Sequence, residues 1–340
     1  MKSKVRWGIL ATGHIAGVFA EGVRDSKTGS LAAVGSRTPS SARAFARKFH
    51  VPKAFGSYAE LLREPGVQAV YIGTPHPFHA RWAIAAAKAG KHVLCEKPLA
   101  MSAREAEDMI QAAKRYKVFL MEAFQYRCHP QTAKVVDLIQ KGAIGKVRRI
   151  QASFCFDAPY KPKGRLFNRE LGGGSILDVG CYTVSMARLL AGAGHGKKFL
   201  DPFRVEGVGQ LGRTGVEEWA TATLRFPGNI TADLLCGIRF VDERTVRVLG
   251  SKGSLVLPAP WRPTEAGILI HKTGSKKTRE IKVRVDRSIP AWEVDRVGEC
   301  ILRGDLQCKV VTWEDSLGNM KVLDGWRRCV KSGRSHPIDR

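Results

Sequence analysis

The chain has 340 residues, of which 44% are hydrophobic and 26% charged. That length suits two domains, and the composition supports a sizeable core, which excludes disorder and a collagen-like fibre. Lys and Arg number 56 against 31 Asp and Glu, giving +25 overall, with +10 in residues 1–122 and +15 in the remainder. A charge spread in this way reads as a basic solvated surface, since a nucleic-acid footprint is usually one basic face or helix.

No uninterrupted apolar run reaches the ~18 residues of a membrane span, so no membrane association is expected. The chain enters an apolar strand at once, with no signal-peptide pattern, and a cytoplasmic location is expected. The eight cysteines, Cys95, Cys128, Cys155, Cys181, Cys236, Cys300, Cys308 and Cys329, contain no C-x-x-C pair. They read as free, mostly buried thiols in a reducing compartment, and no metal site is expected.

Strand patterns at 5–11, 31–36, 69–73, 92–95 and 118–121 alternate with helix patterns at 15–25, 40–49, 58–63, 77–89 and 102–116. Such alternation predicts a doubly wound parallel sheet, which binds ligands at the C-terminal strand ends. The pattern then changes. A helix is predicted at 130–140, a strand at 149–156, a Pro-, Lys- and Gly-rich loop at 158–165 and an apolar helix at 176–191. Strands follow at 204–211, 219–226, 230–240, 244–249, 254–257, 267–271 and 279–285, and helices at 290–303 and 313–331 close the chain. Consecutive strands with short turns predict a mostly antiparallel sheet. The fold class is therefore α/β, with a dinucleotide-binding domain over 1–122 and an α+β domain over 123–340.

Five motifs carry chemistry. Ala11-Thr12-Gly13-His14-Ile15-Ala16 joins a strand to a helix start. It follows the G-x-G-x-x-G/A spacing with Ala11 in the first glycine's place, and the helix N-terminus offers N–H groups to a pyrophosphate. About 20 residues on, where an acidic side chain would bind the ribose of NAD, the chain has Ser36, Arg37 and Thr38. A guanidinium and two hydroxyls suit a 2′-phosphate, so NADP is expected and NAD is the less favoured cofactor. Thr74, Pro75 and His79 follow the third strand pattern, and His79 either faces the cofactor or is a satisfied histidine at a helix start. Glu96-Lys97-Pro98 ends an apolar strand and puts two charges at the ligand edge. Asp178 and Tyr182, at i and i+4 after Gly172-Gly173-Gly174-Ser175, share a face of an otherwise apolar helix. They are either a locally satisfied pair or a functional one.

Together, Trp7-Gly8-Ile9-Leu10, Thr74-Pro75, Glu96-Lys97-Pro98 and Asp178-x-x-x-Tyr182 resemble the glucose–fructose oxidoreductase / inositol dehydrogenase (Gfo/Idh/MocA) family. Met121-Glu122-Ala123 and the Gly173–Tyr182 stretch are most similar to its branch of dimeric dihydrodiol dehydrogenases and NADP-dependent xylose dehydrogenases. The resemblance implies a Rossmann domain, a second domain whose sheet makes a homodimer or homotetramer, and a nicotinamide beside Lys97 and Tyr182. It implies catalytic roles for Lys97, Tyr182 and Asp178, with Asp178, Tyr182 and Arg127 meeting a polyhydroxylated small molecule. The expected function is NADP-dependent hydride transfer at a carbinol or carbonyl carbon of a cyclic sugar, an aldose such as xylose or glucose, or a related polyol. A trans-dihydrodiol or dicarbonyl substrate is the alternative, using the same residues in a more apolar pocket. A non-catalytic dinucleotide sensor or a nucleic-acid-binding protein is the alternative of another class.

Overall fold

The computed structural model describes residues 4–263, 267–334 and 336–338. The chain divides into two compact units, residues 1–128 with 286–316, and residues 129–285 with 317–340.

Short apolar runs make the first unit. Its elements are β1 (Val5–Leu10), α1 (His14–Asp25), β2 (Gly29–Gly35), α2 (Pro39–Phe49), β3 (Lys53–Phe55), α3 (Tyr58–Arg63), β4 (Ala69–Ile72), α4 (His79–Lys88), β5 (His92–Glu96), α5 (Ala103–Arg115), β6 (Leu120–Ala123) and α6 (Gln125–Cys128). The strands pair in parallel in the order β3-β2-β1-β4-β5-β6. All of β4 and nearly all of β1 and β5 are buried, as a sheet covered on both faces requires. Helix starts are set locally. The Thr38, Ser57 and Ser102 hydroxyls accept N–H groups of the first turns of α2, α3 and α5. The strand order reverses direction between β1 and β4, which makes the C-terminal ends of these strands the natural ligand edge.

The sequence pattern does not announce β3, which is only three residues long, or α6, which is four. The helix predicted at 77–89 is a 3-10 turn, His76–Phe78, followed by α4.

The second unit opens with α7 (Pro130–Gln140), β7 (Val147–Cys155) and α8 (Cys181–Ala193). A run of strands follows: β8 (Arg204–Leu211), β9 (Glu217–Phe226), β10 (Ile230–Gly237), β11 (Val246–Gly250), β12 (Gly253–Leu257), β13 (Ile268–Lys272) and β14 (Thr278–Ile281). With β15 (His336–Pro337) they form a nine-stranded sheet in the order β14-β13-β12-β11-β7-β10-β9-β8-β15. All its pairs are antiparallel except β7 with β10.

Ile150, Ala152, Ala222, Leu224, Ala232 and Leu234 are buried on one face of this sheet, and α8 packs against β7 and β10. Every residue of α8 except Tyr182 is buried, which explains its apolar composition. The stretch Arg169–Ala193 has the length and hydropathy of a membrane span, but 94% of its most apolar window is buried inside the protein.

Two further helices are α9 (Ile289–Arg303), which belongs to the first unit, and α10 (Trp313–Ser332), which begins in the first unit and continues in the second. α9 packs on α1 where small residues allow close approach, since a Cβ on Gly22 would lie 2.7 Å from Pro290. Asp295 anchors the contact. Its Oδ1 accepts the N–H groups of Lys27 and Thr28 at 2.7 and 2.9 Å and the Thr28 hydroxyl at 3.0 Å. Arg287 donates to its other oxygen. Asp295→Ala leaves these part-buried donors without their shared acceptor, and unfolding in urea should show a loss of about 2 kcal/mol.

Candidate active site

The phosphate-binding candidates in the first unit lie where β1 and β2 end. Ala11 has φ +104°, in the region that favours glycine, and its N–H donates to the Gly35 carbonyl at 3.1 Å. Gly13 is the N-cap of α1. No side chain caps it, and a Cβ there would meet nothing within 4 Å. Gly13 and His14 are exposed, Thr12 and Ile15 are half-buried, and the first turn of α1 carries no acidic residue. Unpaired N–H groups with open space above them are what a pyrophosphate needs.

The Thr12 and Ser36 hydroxyls are 3.4 Å apart, Arg37 is exposed, and Thr38 caps α2. A dinucleotide phosphorylated on the adenosine ribose fits this donor set, which contains a guanidinium and no carboxylate. The buried Thr74 hydroxyl at the end of β4 has no hydrogen-bond partner among the described residues. It is a further polar group suited to a bound ligand.

The turn after β5 is held from three sides. The Tyr71 hydroxyl donates to Glu96 Oε1 at 2.6 Å, and the Lys97 N–H donates to Glu96 Oε2 at 3.2 Å. Glu122 on β6 accepts the Leu99 N–H at 2.9 Å. His79 is wholly buried, with Nε2 at 2.9 Å from the Thr74 carbonyl and Nδ1 at 2.9 Å from the Pro98 carbonyl. Burial lowers its pKa. Both ring nitrogens face backbone carbonyls, and the one that carries the proton donates, so His79 lies between the Thr74-Pro75 and Lys97-Pro98 turns. Lys97 itself is half-buried at the strand end.

Arg127 is nearly fully buried. Its Nη2 donates to Asp315 Oδ2 at 2.7 Å and to the Val310 carbonyl at 2.7 Å. These partners tie α6 to the start of α10; the sequence reading expected a substrate contact from this side chain.

In the second unit, Asp178 lies in a five-residue π-helical stretch, Ile176–Gly180, that leads into α8. Gly174 enters it at φ +109°, and a Cβ there would lie 2.2 Å from Glu217. Only glycine fits that approach. Asp178 is buried, and its Oδ1 accepts Arg165 Nη1 at 2.8 Å. The Arg165 side chain is 42% exposed. Its guanidinium therefore balances the carboxylate and still meets solvent.

Tyr182 is half-buried against an aromatic wall. Phe154 lies edge-on at 5.2 Å and Trp261 at 5.8 Å, and the Phe154 and Trp261 rings stack within 5°. Trp261 is fixed by its indole N–H, which donates to the Ser153 carbonyl at 2.8 Å. The sequence reading missed Arg165, Phe154 and Trp261. Strand parity offered a signal for Phe154, since it shares the inner face of β7 with Ile150 and Ala152.

Two family models match the chain. An oxidoreductase family with an NAD-binding Rossmann fold covers residues 5–124, and a GFO/IDH/MocA C-terminal domain covers residues 132–256. The chain belongs to the Gfo/Idh/MocA oxidoreductase family. Trans-1,2-dihydrobenzene-1,2-diol dehydrogenases of Mus musculus and Homo sapiens are each 32% identical to it, over 99% of both chains. Aldose-aldose oxidoreductase from Caulobacter crescentus, solved with glycerol, superposes with a TM-score of 0.88 at 27% identity, covering 98% of this chain and 100% of that one. KijD10, a 3-ketoreductase from Actinomadura kijaniata solved with NADP and TDP-benzene, superposes at 0.85 with 27% identity, covering 97% and 98%. The family establishes an NAD(P)-dependent oxidoreductase. Among the described residues, no group of three His, Cys, Asp or Glu could hold a metal ion.

Two predictions follow from this geometry. Ala11→Gly relieves a positive φ, and denaturant unfolding should show about 1 kcal/mol of added stability. Glu293 on α9 is fully buried, and neither carboxylate oxygen has a hydrogen-bond partner among the described residues. Burial, then the charge of Glu96, holds its carboxyl well above the ordinary 4.5. The folded state therefore keeps the proton that the unfolded state releases. The associated stability is present below pH 4.5 and is lost as pH rises toward the folded value. Glu293→Gln should raise the thermal midpoint at pH 8 and change it little at pH 4, by about 1 kcal/mol or more at the higher pH.

Proposed function

We propose that the protein is an NADP-dependent dehydrogenase acting on a cyclic vicinal diol of the trans-dihydrodiol type. The observation that carries the reading is the Phe154–Trp261 wall against Tyr182. It sets an apolar ring surface beside a phenol, with the Asp178–Arg165 pair one turn earlier along the chain. A diol on an unsaturated ring matches both halves of that surface. The similarity to the dihydrodiol dehydrogenases over nearly the whole chain supports the same choice. An aldose is the second reading. The likeness to the aldose-aldose oxidoreductase favours it, as does the charged pair, which can bind more than one hydroxyl.

When bound, the dinucleotide would supply the acceptor for the hydride of the carbinol carbon. In this reading the chain's own residues position groups and move the proton. The N–H groups at Gly13, His14 and Ile15 hold the pyrophosphate, with Ala11 and Thr12 shaping the turn. Ser36, Arg37 and Thr38 take the 2′-phosphate. Thr74, Pro75, Glu96 and Lys97 line the edge where β4 and β5 end, and His79 holds their turns together. Tyr182 and Lys97 are the residues assigned to the proton, with Tyr182 as its acceptor. Asp178 accepts a hydrogen bond from the second hydroxyl while Arg165 holds the carboxylate in place. A homo-oligomer formed through the outer face of the nine-stranded sheet completes the reading.

Initial rates with NADP+ test it, using trans-dihydrobenzenediol beside xylose and glucose. The diol should be the better substrate, and Trp261→Ala should raise its KM more than that of xylose. Tyr182→Phe and Lys97→Met should each lower kcat by about 100-fold. Arg37→Ala should weaken NADPH binding, followed by tryptophan fluorescence, while leaving NADH binding unchanged. Near-wild-type turnover in both catalytic variants would overturn the assignment.

A further inference from the structure

Positive charge that is scattered along the sequence gathers in the second unit at one end of the nine-stranded sheet. Five neighbouring strands, β14-β13-β12-β11-β7, begin or end there. The chain enters β7 through Lys146, passes from β11 to β12 through Ser251-Lys252, and passes from β13 to β14 through residues 273–277. Hydrogen bonds stitch these turns together. The Ser251 and Lys252 N–H groups donate to the Lys146 and Ile144 carbonyls, each at 2.9 Å, and the Lys146 N–H donates to the Ser251 hydroxyl oxygen at 3.0 Å. The Thr273 N–H donates to the Lys252 carbonyl at 3.1 Å. Gly145 has φ +72°, and a Cβ there would lie 2.3 Å from the Ser251 hydroxyl oxygen, so glycine is what lets the first two turns meet. The loop after α8 reaches the same strand ends, since a Cβ on Gly194 would lie 2.9 Å from Val147.

These turns carry cations and no acid. Residues 141–149, 250–253 and 271–279 contain no Asp or Glu. Lys146, Arg148, Lys252, Lys272, Lys276 and Lys277 are exposed, and none has an ion pair among the described residues. Lys197 and Lys198, in the loop after α8, are exposed as well. The bordering carboxylates of Asp137, Asp233 and Asp201 are already paired, with Lys141, Arg149 and Arg188.

Like charges crowded in this way repel one another and cost stability. Lysines along an edge strand keep other strands away, but Lys146, Lys252, Lys276 and Lys277 sit on the turns that close the strands, where no ladder lies open. Neighbouring strands are about 4.8 Å apart, so five of them spread the cations over about 19 Å. One strand of a duplex sets a phosphate every 3.4 Å or so along the axis, about six over that length. Residues 145–148, 251–252 and 273–277 expose no aromatic or aliphatic side chain. They offer nothing to stack on a base or to enter a lipid layer.

We propose that this end of the sheet binds the phosphate backbone of a nucleic-acid duplex without regard to its sequence, as a second activity beside the dehydrogenase chemistry. The lysines meet phosphates as point charges, and the counterions condensed on the duplex are released as they do. The site lies wholly in the second unit and uses none of the residues assigned to the dinucleotide or the diol, so it stands or falls apart from those assignments.

Fluorescence anisotropy of the full chain with labelled DNA duplexes of about 20 base pairs tests it. Two duplexes of unrelated sequence should bind alike at about 50 mM salt, and log K should fall with log[salt] at a slope between about −5 and −7, for six to eight neutralised phosphates. The triple variant Lys252→Ala, Lys276→Ala, Lys277→Ala should flatten the slope by about 3 and leave the thermal midpoint no lower. Removing as many exposed cations from the first unit, with Arg47→Ala, Lys88→Ala and Arg115→Ala, should leave the slope as it was. Saturating NADP+ should not displace the duplex. No binding at low salt, an unchanged slope in the turn variant, an equal change in the two triple variants, displacement by NADP+, or tighter binding to phosphatidylserine vesicles than to the duplex would each overturn the proposal.

Discussion

His79 sits between two backbone carbonyl oxygens, one in each of the turns that end β4 and β5. The rest of the ligand edge depends on that bridge. A parallel sheet delivers its strand ends side by side, but the turns that follow carry polar groups with no ladder to satisfy them. An imidazole places its nitrogens on opposite sides of a rigid ring, so one side chain reaches both turns and donates its single N–H to one of them. Tyr71 and Glu122 complete the arrangement by fixing Glu96 and Leu99. Lys97 is thus carried on a turn held from α4, β4 and β6.

The second unit meets the same problem differently. A carboxylate in an apolar helix is costly unless it is paired. Asp178 is paired by Arg165, which comes from the long loop after β7. The π-helical turn at Ile176–Gly180 places Asp178 at the junction with α8, and irregular turns of this kind are frequent where a helix carries a functional side chain. The aromatic wall has the opposite character. Phe154 and Trp261 bring stacked apolar faces to Tyr182, with the one polar atom of the indole satisfied by backbone. A satisfied charge and an apolar aromatic wall thus lie within a few residues of each other around Tyr182.

Arginine shows how context assigns a role that residue type alone does not. Arg127 is buried and bound to Asp315, where its charge offsets the cost of burying a carboxylate. Arg165 is bound to Asp178 but remains partly exposed. Arg37 is exposed at the end of β2. The three guanidiniums therefore sit in three different surroundings: one buried in an ion pair, one paired and half open, and one exposed at a strand end.

The sequence by itself determined the two architectures and the positions of most elements. Hydrophobic periodicity and turn residues are local properties, and they survive translation into structure in long, regular segments such as α1, α7, β8 and α9. It also placed Gly13, Ser36, Thr74 and Lys97 at strand ends, because a chemical motif that closes a strand is itself local. Only the tertiary structure decided what those residues touch. That His79 faces carbonyl oxygens, that Arg127 meets a residue nearly 190 positions later, and that α9 returns to pack on α1 all depend on segments distant in the chain. The same holds for Trp261 beside Tyr182 and for the parallel pairing of β7 with β10. Such contacts are set by burial and the satisfaction of polar groups across the whole fold, and no window of neighbouring residues encodes them.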